Sequence, residues 1–422
     1  MKRLPTSISL PVLSLMLAFA SHSPLFAQEN RPDLPPAEAV ETALDSHPSV
    51  EAAAARLDAA RAQAGMLKKG PHEITVTGSY VRRDVDTERV YNEYDTIISR
   101  AFRLPGKASL DRQAGILGVD AARNRMEDVR HQTSLILATL WYDWLTAGET
   151  ARNDSRTVAN LERAFTAVKR RVSLRDAAPL DEDQAASALA LARGQWADSA
   201  AREAEARALL TANFPDIPLT EQPPLLGEPK VPEQGIEALG ELVIARSHEI
   251  GAAQADADKQ SVVARRVKAD RIADPSFGVR LFSERSGMEK GAGLVATVPI
   301  GGGYRAKAAD EAVAMASSAR LELAMVRRSV EAMARADMSN AHSRFTAWQH
   351  LRDAANRAQT VAERTAKGHE LGAIDLSDLL YAERQANDAR RTEIAARSEA
   401  LRAILKLLID SHTIWAPGHD ED

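Results

Sequence analysis

Two kinds of hydrophobic spacing alternate along this chain. In "EITVTGSYV", Ile74, Val76 and Tyr80 fall on one side and Thr75, Thr77 and Ser79 on the other. In "SFGVRLF", Phe277, Val279 and Leu281 oppose Ser276 and Arg280. Period-two alternation bounded by polar turns predicts β-strands. Partner strands are expected at about Tyr94 to Leu104 and Gly291 to Ile300, so that strand pairs occupy about 73–104 and 276–300. Strands of about ten residues with one apolar face have the length that a membrane barrel wall needs. A small soluble sheet shows the same pattern.

The second spacing is helical. It runs from about Lys107 to Ser173 and again from about Arg305 to Lys367. At 1.5 Å per residue each stretch reaches roughly 100 Å, more than a globular core requires. Met126, Val129, Thr133, Ile136 and Leu140 step by three and four, as do Leu323, Val326, Val330 and Met333. That is the seam of a coiled coil. Pro179 and Gly372 mark turns, after which each helix returns, so that hairpins cover about 107–210 and 305–408. Trp141, Tyr142 and Trp144 are expected to pack between helices.

The pattern is written twice. "AVETALDSHPSVEAAAARLDAA" from Ala39 is echoed at an offset of 200 by "LGELVIARSHEIGAAQADADKQ" from Leu239. Further on the offset is 197: Gly106 meets Gly303, Asp181 meets Asp378 and Ala185 meets Ala382. A constant offset with matching element order marks an internal duplication. The copies are expected at 28–213 and 235–412, each opening with one helix, about Pro36 to Lys69 and Gly235 to Ile272. Between them, 214–234 carries six prolines, at 215, 218, 223, 224, 229 and 232, and reads as a crossing linker.

Composition narrows the class. Of 422 residues, 27% are charged and 5% aromatic, with a net charge of −5. Ala-rich, charge-rich sequence favours long, closely packed helices, and no basic surface for nucleic acid is implied. With no cysteine, disulfides and thiolate chemistry are excluded. Lys2 and Arg3 followed by the apolar run Ile8 to Ala20 predict a signal peptide over 1–27. No later stretch is apolar enough for a transmembrane helix. Such an exported chain is periplasmic, secreted or inserted as strands. Residues 413–422, ending "GHDED", read as an acidic tail.

Catalytic, cofactor and metal sites are not expected. The ten histidines do not cluster in sequence; His72, His248 and His369 precede Glu, but Val76, Ala252 and Ala373 stand where a zinc-protease motif needs a second His. "FRLPGKASL" imitates a phosphate-binding loop, yet positions 101 and 108 are both Ala, and the second copy, "PIGGGYR", has Tyr304 where Lys107 stands.

"HPSVEAA", "GAIDLSDLLYAER" and the duplication itself resemble the TolC-like outer-membrane efflux factors. Leu104-Pro105-Gly106-Lys107 is similar to the heavy-metal (cobalt–zinc–cadmium, CzcC-like) branch of that family. The resemblance covers nearly the whole mature chain. It implies a mainly α protein with a transmembrane β-barrel portion, in which three chains supply twelve strands to close the barrel. The helical hairpins then continue as a long periplasmic tube. It also implies passive conduction of divalent metal cations or organic compounds, outer-membrane lipid around the barrel, and a periplasmic adaptor and an inner-membrane RND pump as partners. Pro105, Gly106, Gly301, Gly302 and Gly303 then become the strand-to-helix junction, where glycine allows a sharp change of direction. The family's aspartate motif at the pore entrance falls on Asp378, while Tyr381 replaces its second aspartate. Asp378 or nearby Asp375 equally suits a plain helix cap. Rival classes are an adaptor of the same system, which would show a single hairpin, and a coiled-coil scaffold, which leaves the strands unexplained.

Overall fold

The computed structural model describes residues 33–415. The predicted signal peptide, 1–27, lies outside them, as do residues 416–422 of the predicted tail. Helices α1 (Ala37–Asp45) and α2 (Pro48–Lys69) lead into strands β1 (Ile74–Asp84) and β2 (Val90–Ala101). The hairpin α3 (Lys107–Ser173) and α4 (Pro179–Asn213) follows. The second half repeats this as α5 (Ile236–Ala245), α6 (His248–Ala269), β3 (Ser276–Glu284), β4 (Glu289–Thr297), α7 (Gly303–Glu370) and α8 (Leu376–Asp410). The offset of 200 carries α2 onto α6 at both ends, and the offset of 197 carries α4 onto α8 at both ends.

The single opening helix expected in each copy is two helices. Pro48 lacks the N–H that a continuous helix would need and sits instead in the first turn of α2. His47 caps it, its Nδ1 accepting from the Ser49 N–H at 3.3 Å. In the second copy Ser247 caps α6 by accepting from the Ile250 N–H at 3.2 Å.

All four strands form one antiparallel sheet in the order β1-β2-β3-β4. Pairing of β2 with β3 joins the two copies. The register puts Val76 opposite Ile98, Ile98 opposite Val279, and Val279 opposite Leu294. Ile74, Tyr80, Tyr94, Phe277 and Leu281 lie on the same face, and all are exposed. The other face carries Thr75, Thr77, Ser79 and Ser99, with Arg280 ion-paired to Asp95. The sheet is therefore amphipathic, as the alternation predicts. β2 and β4 each begin and end earlier than expected, β2 at Val90 and β4 at Glu289. β2 stops at Ala101 because Asp274 captures the Leu104 N–H at 3.0 Å, and β4 stops at Thr297, two residues before Pro299.

The helical stripes meet in a bundle. Its largest apolar cluster gathers Leu44, Leu137, Trp141, Tyr142, Trp144 and Leu405. The expected seam of α3 is shifted: Thr133, Leu137, Trp141, Trp144 and Leu145 are buried, whereas Ile136 is 50% exposed. In α7, of the expected seam only Val330 is fully buried, with Leu323, Val326 and Met333 half-buried and Ala334 buried beside it. A polar seam joins the two hairpins: Arg391 reaches buried Asp154 at 2.7 Å, and the Asn387 amide oxygen accepts from Asn153 and Thr157 at 2.6 and 2.9 Å. Directional bonds of this kind fix the register of α3 against α8, which Ala-rich faces alone define poorly.

The Pro-rich segment is packed, not merely crossing. Phe214, Ile217 and Leu226 enter the main cluster. Arg152 donates to the carbonyls of Pro223 and Pro224 at 2.8 and 3.2 Å. A Cβ on Gly148 would lie 2.1 Å from Pro223 Cγ. Gly148→Ala is therefore expected to destabilise the fold by about 1–3 kcal/mol through overpacking, read as a lowered thermal unfolding midpoint of the detergent-solubilised protein. Gly194→Ala, with open space at its Cβ, serves as the matched control and should not lower it.

Candidate pore entrance and strand-to-helix joint

The tips of the two hairpins come together. Val168 and Ala185 of the first share an apolar cluster with Leu376 and Leu379 of the second. Burying Leu376 and Leu379 leaves Asp375, Asp378 and Tyr381 exposed along the opposite face of α8, at steps of three. Asp375 occupies the N-cap position of α8, but its side chain makes no capping bond. Asp378 forms no hydrogen bond or ion pair among the described residues. Its counterpart Asp181 behaves differently, accepting from the Ala178 N–H at 3.1 Å. Tyr381 accepts from Gln385 at 2.9 Å and has Arg384 over its ring. The structure thus shows a side-chain cap in the first hairpin only. It leaves two uncommitted carboxylates at the tip of the second, at the N-cap and in the first turn of α8.

At the other end of the hairpins the strands turn into helices. Gly106 has φ +88°, which only glycine adopts without strain. Gly301 serves by close approach: a Cβ there would lie 2.7 Å from the Arg271 carbonyl oxygen. Gly302 is extended and Gly303 opens α7; neither has a neighbour within 4 Å of a built Cβ. Of the junction glycines, then, Gly106 and Gly301 are required by geometry and Gly302 and Gly303 are not. Pro105 stands between Leu104 and Gly106 in the turn that opens α3.

Lys107, which imitated a phosphate-binding lysine, is buried at 1% exposure. Its ammonium bonds Asp270 at 2.8 Å, Asp274 at 2.7 Å and the Ile272 carbonyl at 2.8 Å. Asp274 also takes the Leu104 N–H and meets His72 Nε2 at 2.9 Å. Around this core, buried Asp111 accepts from Arg103 at 2.8 Å and from Arg266 at 2.6 Å. Arg103 closes the C-terminus of α2 by donating to the Leu67 and Lys68 carbonyls. Arg305 does the same for α6 at the Asp270 carbonyl, 2.8 Å. Burial opposes the charge on Asp274, but hydrogen bonds from Lys107, His72 and the Leu104 N–H outweigh it and hold the carboxyl at about 2. Asp270 is likewise held low against its burial, by Arg266 and Lys107. The sequence reading missed this lock. Lys107 had no matching lysine in the second copy, and its carboxylates lie more than 160 residues away.

No family model matches the chain, and no curated protein matches it in sequence. Among solved structures it is similar to a membrane protein from Pseudomonas aeruginosa, at 17% identity over 89% of each chain, with a TM-score of 0.72. It is also similar to the CmeC outer membrane channel of Campylobacter jejuni, at 14% identity over 91% of this chain and 86% of that one, TM-score 0.72. The outer membrane protein VceC of Vibrio cholerae matches at 15% identity over 89% of this chain and 95% of that one, TM-score 0.70. At these identities the likeness is one of fold, and it extends over about nine-tenths of the chain.

Lys107→Met leaves Asp274 and Asp270 facing each other without their shared cation. The expected cost is about 3 kcal/mol, the lower end for breaking a buried pair, because Asp270 is partly exposed. The pH dependence has a definite sign. A carboxyl held low in the fold stabilises above its unfolded pKa, and that stability fades as pH falls from about 4 towards 2. In Lys107→Met the acid transition should therefore move to higher pH, followed by circular dichroism of the detergent-solubilised protein.

Proposed function

We propose that this chain is the outer-membrane channel of a tripartite efflux system, a passive conduit rather than an enzyme. One observation carries the reading: an amphipathic four-stranded sheet, its apolar face exposed and its outer edges on β1 and β4 unpaired, stands on helical hairpins roughly 100 Å long. Open edges are not tolerated in lipid, so the sheet must close with others. Three copies supply twelve strands, and three pairs of hairpins supply a tube. The barrel sits in outer-membrane lipid and the tube crosses the periplasm to meet an adaptor and an RND pump, which deliver the cargo and the energy. The fold shared with outer-membrane channels supports this assignment.

At the tube's periplasmic end, Asp378 and Asp375, repeated three times, would ring the entrance, with Tyr381 narrowing it. Free carboxylates there favour cations. Divalent heavy-metal ions are the proposed cargo, supported by the Leu104-Pro105-Gly106-Lys107 likeness and by this acidic tip.

The detergent-solubilised particle should have the mass of three chains and form channels in planar bilayers. Asp378→Ala should lower cation preference there by severalfold; a monomeric, detergent-independent protein, or unchanged preference, overturns the corresponding part of the reading. Deletion in a host without a redundant channel should sensitise cells to divalent metals, while unchanged metal tolerance with new sensitivity to organic compounds would reassign the cargo and leave the channel reading intact.

A further inference from the structure

The histidines, scattered in sequence, include three that converge. His131 comes from α3, His248 opens α6 and His412 follows α8. The His248 and His412 rings stack with centroids 4.5 Å apart, and His131 meets His412 edge-on at 5.7 Å. Among the described residues no group of three or more His, Asp or Glu side chains is arranged to hold a metal ion. These rings instead clasp residues 411–415 onto the helices.

The clasped segment carries strain. His412 and Trp415 both adopt left-handed backbone, φ 53° and 56°, where L residues are disfavoured. The Trp415 indole nitrogen is buried with no hydrogen-bond partner. Backbone capping offsets this, with the His412 and Thr413 N–H groups donating to Ile409 and Leu408 carbonyls at 2.9 Å. Arg130 donates to the Trp415 carbonyl at 3.0 Å and Arg246 to the Ser411 carbonyl at 2.8 Å. A folded segment with this much unfavourable geometry is poised to open.

We propose that residues 411–415 form a strap which protonation of the stacked His248–His412 pair, packed edge-on by His131, releases from α3 and α6. Carboxylates outnumber permanent cations around the site, but most of them are already engaged by other partners. From α3, Glu127, Asp128 and Arg130 face the site; from the end of α1, Asp45 holds Arg130 at 2.9 Å. Arg246 follows α5, and Glu249 on α6 accepts from Ser247. On α8, Asp410 meets His131 Nε2 at 3.1 Å but is also bonded by Lys406, which reaches Asp337 of α7. Asp410 is thus already engaged by Lys406 and by the His131 ring, with little left for His412. Burial first, then His248, His131 and Arg246, push His412 down to about 4, against the weaker pull of Asp410. Burial and His131 push His248 down as well, against Asp128. The sign follows: neutral imidazole is favoured in the docked strap and the protonated ring in the released one. Docking is therefore strongest above about 6.5 and weakens as pH falls towards about 4, by about tenfold per pH unit for one proton.

The chain has no cysteine, so Thr413→Cys in the full-length, detergent-solubilised protein accepts a single spin label. Its mobile component should grow at least tenfold between pH 7.5 and pH 5.0. Hydrogen exchange at His412 and Thr413 in unlabelled protein, corrected for intrinsic rates, should show the same transition. His412→Asn keeps a residue that tolerates left-handed backbone and removes the proton acceptor, so the transition should vanish; His248→Gln, which leaves the strap sequence intact, should flatten it. An unchanged label and unchanged exchange in the parent across this interval overturns the proposal, as does a full transition persisting in both variants. The readout is local to the strap and independent of conduction.

Discussion

The outer edges of β1 and β4 constrain everything else in this chain. Each strand of a sheet offers N–H and C=O groups on both sides, and a four-stranded sheet leaves two rows without partners. In water such edges would be solvated. Here the neighbouring face is apolar and uncovered, with Ile74, Val76, Ile98, Phe277, Val279 and Leu294 all exposed. The sheet is thus unsuited to water on its face and unsuited to lipid at its edges, and only lateral closure resolves both. The duplication is part of the same solution. Pairing β2 with β3 places two copies side by side, with both hairpins descending from the same end of the sheet.

Because a helix about 100 Å long multiplies any angular error at its root, the joint between strand and helix has to be rigid. That is the role the geometry gives to Lys107, Asp270, Asp274, Asp111, Arg103 and Arg266. Burying several charges is costly unless each is satisfied, and here the lysine ammonium has three acceptors and Asp111 has two guanidinium donors. The lock crosses the duplication: Lys107 and Asp111 belong to the first copy, Asp270 and Asp274 to the second. Two copies free to hinge about the β2–β3 seam are thereby tied just below it.

Periodicity made the architecture legible. Strand alternation, helical spacing and the two offsets each report a local property repeated many times, so single exceptions do little harm. Element ends were less legible because they depend on single contacts: Asp274 taking the Leu104 N–H ended β2, and Pro48, plainly visible, split the first helix with His47 as an unusual cap. The seam of α3 was misplaced at Ile136 because that helix packs against α4, α2, α6 and α8 in turn, so no single stripe describes it. The lock at the joint and the histidine cluster were invisible for another reason. Their members are separated by well over 100 residues and share no motif, so only the folded chain brings them together.

The two copies differ where their surroundings differ, and that difference bears on assembly. Lys107 is buried because the end of α6, in the next copy along the sheet, supplies Asp270 and Asp274. The equivalent residue at the start of α7 is Tyr304, 87% exposed, beside Ile300 at 96%. Nothing lies beyond β4 in a single chain. In the proposed ring the unit beyond β4 is the first copy of the neighbouring chain, whose α2 ends in Gly70 where α6 ends in Asp270. A lysine at 304 would find Gly70 and Ile74 where Lys107 finds Asp270 and Asp274, whereas a tyrosine brings apolar area and one hydroxyl. The departure from internal symmetry is thus the substitution expected if one joint is made within the chain, by charge, and the other between chains, by apolar contact.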